Sequence, residues 1–211
     1  MDWISIGALI IAVAMPVALG FLATSISPGA NTDWYRSLNK PPWTPPNWVF
    51  PLMWTILYIL MGGASWLIWK EGGFKTQALP LGFYIAQLIL NFLWTPLFFG
   101  LRYFGLAFVE IVLMWVAILV TIILFWPVNH AAAYMLLPYI IWVTLAASIN
   151  LYVWIRNPKQ GRPTYQDISR PLKDTVSHRS DVEHITSQRR RRSPLTFPFG
   201  TIVGEQWASN D

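Results

Sequence analysis

Five long runs of apolar residues dominate the chain, and short segments rich in proline, glycine and polar residues separate them. Each run is about 20 residues or longer, which as a helix is enough to cross a hydrocarbon core about 30 Å thick. Because lipid cannot satisfy an open backbone, spanning segments of this length must be helical. The pattern therefore predicts an all-α integral membrane protein built as a five-transmembrane-helix bundle. The predicted spans are Trp3–Ser25, Trp48–Trp69, Leu79–Phe99, Tyr103–Trp126 and Ala131–Ile155.

The segment Trp34–Trp54 leads into the second run and holds four tryptophans and five prolines. Proline fixes φ and removes a backbone donor, so this segment is predicted to contain neither helix nor central strand. It should form a stiff, partly extended loop from which aromatic side chains project. A rigid aromatic loop at the mouth of a membrane bundle suggests a lid over a flat, apolar ligand.

The C-terminal residues differ in composition from the rest of the chain. Residues 158–211 are polar, lack helical periodicity and include the run Arg189–Arg192, a composition typical of disordered chain. We therefore predict a five-span membrane domain over residues 1–157 and a disordered basic tail over residues 158–211. The arginine run could bind anionic lipid headgroups, or the tail could be a solvated or non-native extension, and no function is assigned to it.

Composition and charge narrow the possible functions. Only 12% of the residues are charged, against about 25% in a soluble domain. Nine of the fifteen lysines and arginines lie within residues 157–211. The high isoelectric point of the chain, about 9.6, is therefore set largely by the tail, and no nucleic-acid partner is predicted. The chain has no cysteine, which excludes disulfides, thiolate metal sites and cysteine catalysis.

Five spans place the two termini on opposite sides of the membrane. The side that receives the Trp34–Trp54 loop and the C-terminus carries most of the basic residues near the spans, and such residues favour the cytoplasm. The loop and the C-terminus are therefore predicted to be cytoplasmic if the protein lies in an inner membrane. The basic residues of that side are Arg36, Lys40, Arg102, Arg156, Lys159 and Arg162, against Lys70 and Lys75 on the other.

Polar residues inside the spans are costly in lipid and mark candidate functional positions. Gln87, Asn91 and Trp94 are spaced i, i+4 and i+7, so they share one face of the third span. Gln87, Asn91 and, in the fifth span, Asn150 could instead only hydrogen-bond between helices. Glu110, in the fourth span, could be a proton relay or could form a structural hydrogen bond.

Two aromatic pairs lie deeper in the spans than the run-end tryptophans, which are typical interfacial anchors. Trp54 and Tyr58 are spaced i, i+4 in the second span, as are Trp142 and Ala146 in the fifth. Each pair presents an aromatic side chain beside a second contact on one helix face, which could sandwich a planar ring system by offset stacking. A plain core role is the alternative.

Familiar catalytic constellations are absent from the sequence. It contains no phosphate-binding loop, no dinucleotide-binding glycine motif and no H-E-x-x-H. His130 is the only histidine of the membrane part and lies between two runs, so neither a His-ligated haem nor a multi-His metal site is expected. No metal and no resident cofactor are predicted.

Three separated blocks of the chain resemble the TspO/MBR family of tryptophan-rich sensory proteins, which includes the mitochondrial translocator protein (peripheral benzodiazepine receptor). The resemblance covers about residues 1–157, in order and at fitting positions. The blocks are WYRSLNKPPWTPPNWVFPLMWTILYILMG at Trp34–Gly62, QLILNFLWTPLFFG at Gln87–Gly100 and PYIIWVTLAASINLYVWIRN at Pro138–Asn157.

The resemblance implies a five-helix bundle that commonly dimerises, with a pocket between the helices that opens toward the long first loop. Family ligands are porphyrins such as protoporphyrin IX and aromatic drug-like molecules, with cholesterol in the animal members. The L/V-x-Y-x-K/R cholesterol pattern is not met around Tyr152, however. Combined with the aromatic pairs, the predicted ligand-binding residues are Tyr35, Pro45, Trp54, Tyr58, Gln87, Asn91, Trp94, Trp142 and Ala146.

Three functions follow as hypotheses. The first is a membrane receptor or carrier that binds tetrapyrroles and other flat aromatic or lipidic ligands, with a regulatory or stress-related role. The second is a light- and oxygen-dependent porphyrin-degrading enzyme, since the two tryptophans implicated in some bacterial members correspond to Trp54 and Trp142. The third is a proton-coupled transporter using Glu110, against which the lack of an obvious inverted repeat counts. The expected partners are a porphyrin or other planar apolar molecule, membrane lipid and a second copy of the chain.

Overall fold

The computed structural model describes residues 3–27, 32–158 and 160. Within these residues the regular structure is helical, and five helical segments are long and apolar enough to cross a membrane. This confirms the predicted all-α, five-span architecture. The helices are α1 (Trp3–Ser25), α2 (Asp33–Ser37), α3 (Val49–Lys70), α4 (Gly73–Thr76), α5 (Ala78–Thr95), α6 (Phe104–Phe125), α7 (His130–Met135) and α8 (Leu137–Arg156), with a π-helical segment at Pro96–Gly100 after α5.

The spans begin and end close to their predicted bounds, and the differences have local causes. The first span matches its prediction at both ends. The third continues through the π-helical segment to Gly100. The fifth is divided at Leu136, whose backbone N–H bonds the carbonyl of Ala133 in a tighter turn. Pro138 follows at the start of α8, and because it lacks an N–H it cannot continue the hydrogen bonding of α7.

The prediction that Trp34–Trp54 contains no helix was wrong at both of its ends. The short helix α2 occupies residues before the first proline, and the side chain of Thr32 caps it by accepting from the N–H of Tyr35 at 3.3 Å. Helix α3 begins at Val49 and contains Pro51 in its first turn, where a missing N–H costs no helical hydrogen bond. We call the segment from α2 to the residue before α3, residues 33–48, the lid. Its extended part is therefore confined to the residues between these two helices.

The core of the bundle lies between α3, α5, α6, α7 and α8, and α1 packs along α3. The backbones of α1 and α3 approach each other closely at Gly62, where a Cβ atom would lie 2.5 Å from Cα of Val13 and 2.6 Å from the carbonyl oxygen of Ala12. Only glycine permits this contact between two backbones. Within the described part of α1, just Pro16 and Ala23 are buried, so this helix forms the outer edge of the bundle.

The predicted tail, residues 158–211, lies outside the described residues except for Pro158 and Gln160. The division into a membrane domain over residues 1–157 and a disordered tail therefore stays a prediction.

Candidate functional site

A cavity of about 490 Å³ lies between the helices at the end of the bundle that carries the lid. Side chains from α1, the lid, α3, α5, α6 and α8 line it, together with the π-helical segment. Its volume falls within the range of small-molecule sites, about 300–1,000 Å³. Much of the wall is aromatic, contributed by Phe21, Tyr35, Phe50, Trp54, Tyr58, Trp94, Phe98, Phe99 and Trp142.

The structure brings most of the predicted site residues together around this one cavity. They come from four separate elements, and the stretches between them reach tens of residues in sequence. Their roles as ligand contacts stay predictions. The predicted residues on the cavity wall are Tyr35, Trp54, Tyr58, Asn91, Trp94, Trp142 and Ala146.

Two predicted residues, Pro45 and Gln87, lie off the wall among the described residues. Pro45 is half-buried in the lid. Gln87 lies on the same face of α5 as Asn91 but one turn away, about 6 Å along the helix axis, and it is 1% exposed. In the described part of the chain neither polar atom of its side chain has a hydrogen-bond partner.

A chain of hydrogen bonds closes the floor of the cavity and separates it from Gln87. The hydroxyl of Tyr58 donates to Oδ1 of Asn91 at 3.1 Å, and Nδ2 of Asn91 donates to the hydroxyl of Tyr139 at 3.1 Å. The hydroxyl of Tyr139 in turn points at Sδ of Met114 at 3.5 Å. Asn91 therefore lines the cavity and also links α3, α5 and α8 by hydrogen bonds, while its role as a ligand contact stays a prediction.

Aromatic rings stack around the predicted tryptophan pair. The rings of Trp54 and Tyr58 are stacked with centroids 5.4 Å apart, and the ring of Tyr139 meets Trp54 edge-on at 6.2 Å. Phe50 meets Trp142 edge-on at 5.6 Å. These contacts hold both tryptophans in fixed orientations, because edge and offset ring contacts are the favoured geometries.

Two of the three tryptophans that line the cavity, Trp94 and Trp142, differ in the hydrogen bonding of their indole N–H. Nε1 of Trp94 donates to Oδ1 of Asn150 at 3.1 Å, and Nδ2 of Asn150 donates to the carbonyl of Phe104 at 2.9 Å. Asn150 thus joins α5, α6 and α8, as its interhelical interpretation predicts. Nε1 of Trp142 is buried and has no acceptor among the described residues.

The lid is hydrogen-bonded to the end of α8 by Asn157, a residue that no pattern in the sequence indicated. Oδ1 of Asn157 accepts from the backbone N–H of Asn39 at 2.8 Å, and Nδ2 of Asn157 donates to the carbonyl of Asn39 at 3.0 Å and to that of Val153 at 2.8 Å. The partners are 118 residues apart. No local pattern in the sequence signals such a pairing.

The short helix of the lid is closed by a lysine. Nζ of Lys40 donates to the carbonyl of Tyr35 at 2.7 Å and lies 4.6 Å from the centroid of its ring. The ring of Tyr35 also contacts that of Phe99 at 5.4 Å. Burial raises the pKa of the Tyr35 hydroxyl above its ordinary value and lowers the pKa of Lys40, since both charged forms lose hydration.

A second lid contact reaches the middle of α8. Nε1 of Trp43 donates to Oγ of Ser148 at 3.3 Å, and its ring meets Tyr152 edge-on at 5.8 Å. Trp43 therefore packs on the outside of the bundle and is not part of the cavity wall in the described structure.

Glu110 lies away from the cavity, within α6. It is buried, and in the described part of the chain neither carboxyl oxygen has a hydrogen-bond partner. The structural hydrogen bond offered as one interpretation of Glu110 is therefore not seen among these residues. No group of three or more His, Cys, Asp or Glu in the described ranges is placed to hold a metal ion.

Comparisons with known proteins agree with this architecture. The model of the TspO/MBR family matches residues 12–155. The translocator protein of Ovis aries is 44% identical over 157 residues, which is 74% of this chain and 92% of that protein. Protein CrtK of Rhodobacter capsulatus is 42% identical over 140 residues, covering 66% and 86% of the two chains, and the tryptophan-rich sensory protein of Cereibacter sphaeroides is 39% identical over 150 residues, covering 71% and 89%.

Proposed function

The chain belongs to the TspO/MBR family, and from this membership and its aromatic cavity we propose that it is a membrane receptor or carrier for tetrapyrroles of the protoporphyrin IX kind. Other flat aromatic or lipidic molecules are the second ligand class, and the proposed role is regulatory or stress-related. The family resemblance read from the three sequence blocks is thereby confirmed. The five apolar helices support an integral membrane protein.

The observation that carries the proposal is the cavity itself, whose walls are built mainly from aromatic rings and aliphatic side chains. A planar ring system gains dispersion and offset-stacking energy from such a wall, about 0.5–1.5 kcal/mol for each well-placed aromatic pair. Polar groups on the wall that already have partners, such as Asn91 and Asn150, add little further demand for ligand polarity.

Binding of protoporphyrin IX to the purified protein tests the proposal. Tryptophan fluorescence should be quenched in a saturable way. The Trp54→Phe/Trp142→Phe variant, which keeps an aromatic ring at each position but loses two of the three indoles on the cavity wall, should bind more weakly. The matched control is Trp43→Phe/Trp126→Phe, two tryptophans away from the cavity wall. If the cavity variant binds porphyrin as tightly as the control, the site is misassigned.

A second candidate function is degradation of porphyrin under light and oxygen, favoured because Trp54 and Trp142 both line the cavity. An indole in contact with the ring can relay an electron from the photoexcited porphyrin to molecular oxygen, so that the porphyrin is oxidised, oxygen is reduced and the indole returns to its starting state. Absorbance during illumination decides between binding and catalysis. Bleaching with a new product band, lost in both single tryptophan variants, supports the enzyme, and bleaching at the rate of free porphyrin removes it.

The remaining predictions about the whole protein stand as proposals. We place the lid and the C-terminus in the cytoplasm for an inner-membrane location, and we expect a homodimer. Proton-coupled transport through Glu110 is not proposed, because this residue lies off the wall of the cavity among the described residues. Unchanged uptake into proteoliposomes by Glu110→Gln would support that choice.

A further inference from the structure

We propose that the ligand enters the cavity sideways from the bilayer, through a lateral mouth between the end of α1 and the beginning of α3. The lateral mouth is formed by Phe21 and Thr24 of α1 and by Pro51 and Thr55 of α3. The proposal rests on the proposed function, in that it takes the cavity to be a ligand site. It adds the route and the physical state of the ligand, which reaches the protein dissolved in the membrane.

The exposure of the wall residues locates the mouth. Phe21 is 72% exposed although it lines the cavity, and Thr24, Pro51 and Thr55 are exposed as well. The wall residues of α6 and α8 are largely buried; Met114, for example, is 2% exposed. A cavity whose exposed lining lies on two adjacent helices opens between those two helices.

The contacts of the lid argue against the alternative route along the axis of the bundle. Tyr35 lines the cavity from the lid and is itself only 5% exposed, with Phe99 against its ring. Asn157 holds the lid backbone at Asn39 with two hydrogen bonds. Asn47, the exposed lid residue on the wall, stands just before α3 and so belongs to the rim of the lateral mouth.

Helix α1 is built so that its two halves are held differently. Its first half is fixed to α3, because Gly62 lies against the backbone of Val13 and Nε1 of Trp66 donates to the carbonyl of Ser5 at 3.0 Å. Pro16 then removes one helical hydrogen bond, and a helix bends most easily at such a point.

The second half of α1 borders the lateral mouth. Its backbone at Gly20 lies directly against the ring of Tyr58, and both residues also line the cavity. Beyond that point Ala23 is its buried residue in the described structure. Outward bending at Pro16 would therefore widen the mouth without breaking the contacts of the first half.

The depth of the mouth in the membrane defines the ligand class. Phe21 is four residues from the end of α1 at Ser25, and Thr55 is six residues after the start of α3 at Val49, about 6 Å and about 9 Å at a rise of about 1.5 Å per residue. The mouth therefore lies in the lid-side leaflet, within the outer part of a hydrocarbon core about 30 Å thick. This position suits a flat amphiphile whose apolar ring lies among the acyl chains while its polar edge stays at the headgroups.

A thiol placed inside the cavity tests the route independently of the natural ligand. Because the chain has no cysteine, Ala146→Cys puts a single thiol on the wall, and N-phenylmaleimide, an apolar reagent, reports access to it in lipid nanodiscs. Adding Thr24→Phe/Thr55→Phe narrows the mouth and should slow labelling about tenfold, equivalent to about 1.4 kcal/mol on the barrier. The matched control is Leu22→Phe/Ile56→Phe, which adds the same rings at exposed neighbouring positions off the wall and should leave the rate unchanged.

The lid route is tested in the same assay by Asn157→Ala, which releases the lid. Lateral entry predicts an unchanged labelling rate. A faster rate in this variant, or equal rates in the mouth and control variants, would overturn the proposal. Circular dichroism melting of every variant verifies that the bundle is intact.

A second experiment, with protoporphyrin IX, distinguishes a failure of the proposed route from a failure of the proposed function. Stopped-flow quenching by protoporphyrin IX should show that the mouth variant slows both association and dissociation relative to Leu22→Phe/Ile56→Phe, as expected when entry and exit use the same passage. Absence of quenching in the wild-type protein would overturn the proposed function, while the maleimide rates would still decide how the cavity is reached.

Discussion

The side-chain amide of Asn157, at the end of α8, pairs with the backbone of Asn39 in the lid through hydrogen bonds of 2.8 and 3.0 Å. A third bond, from the same amide to the carbonyl of Val153, fixes the orientation of the side chain. Both polar atoms of the Asn157 side chain therefore join the lid to α8. The lid owes its position to this pairing as well as to its prolines.

Replacing Asn157 with alanine should free the lid while the bundle stays folded. Two lost hydrogen bonds of about 1 kcal/mol each predict a cost of about 2 kcal/mol, felt mainly as local opening. Hydrogen exchange should become faster at the amide of Asn39 and through the lid, with little change in α5 and α6. Asn47→Ala is the control, since its side chain is exposed. Equal protection of the lid in Asn157→Ala and the wild type would contradict the prediction.

The floor of the cavity should be sensitive to the loss of Asn91. Substitution by leucine leaves the hydroxyl of Tyr139, which is 1% exposed, without its donor, and we expect a loss of about 1–3 kcal/mol in unfolding free energy. Tyr58→Phe removes one bond of the same chain and should cost about 1 kcal/mol. Thermal unfolding in detergent measures both, and an additive double variant would show that the chain does not act as a unit.

The contact between α1 and α3 predicts an effect of a single methyl group. Gly62→Ala places a Cβ atom 2.5 Å from Cα of Val13, and because backbone must move to relieve the clash, a loss of about 1–3 kcal/mol is expected. Gly82→Ala in α5 is the matched control, since a Cβ there meets no atom within 4 Å. It should be neutral or stabilising by up to about 1 kcal/mol. Similar melting temperatures for the two variants would argue against the close packing of these helices.

The burial of Tyr35 predicts that the lid is less stable in alkali. Since burial raises the pKa of this hydroxyl above 10.0 in the folded lid, the stabilisation is complete below pH 10 and is lost as the pH rises through the folded-state pKa. Hydrogen exchange of the lid should therefore rise with alkaline pH more steeply in the wild type than in Tyr35→Phe.

The lowered pKa of Lys40 acts in the opposite direction. The charged form is disfavoured in the folded lid, so stability gains as the pH rises through the folded-state pKa toward 10.5. Lys40→Met removes this gain and, with it, the hydrogen bond to the carbonyl of Tyr35. In that variant the alkaline loss should begin at a lower pH than in the wild type, and an unchanged onset would show that Lys40 does not influence the lid.

Much of the fold follows from the apolar runs, because the thickness of a bilayer sets the length of a spanning helix. Trp3–Ser25 is recovered at both ends for this reason. The helix α2 was missed because its stability comes from the cap at Thr32 and the lysine at its end, not from an apolar period. A five-residue helix carries too little pattern to be seen in sequence.

The site was predictable where neighbouring residues share a helix face and not where distant elements meet. Trp54 and Tyr58 stack as their spacing suggests. Gln87 satisfies the same spacing rule relative to Asn91, yet it lies behind the floor, whose position depends on Tyr139 from another helix. The pairing of Asn39 with Asn157 has the same character, since only the tertiary structure brings the two together.

The hydrogen-bonded floor of the cavity has a consequence for the direction of transport. The amide of Asn91 has both polar atoms bonded to tyrosines on two other helices. If a ligand binds in the cavity and enters by the lateral mouth as proposed, it would return to the same half of the bilayer unless these bonds break. The protein would then sequester or hand over its ligand within one leaflet, and transport across the membrane would require the floor to open in every cycle.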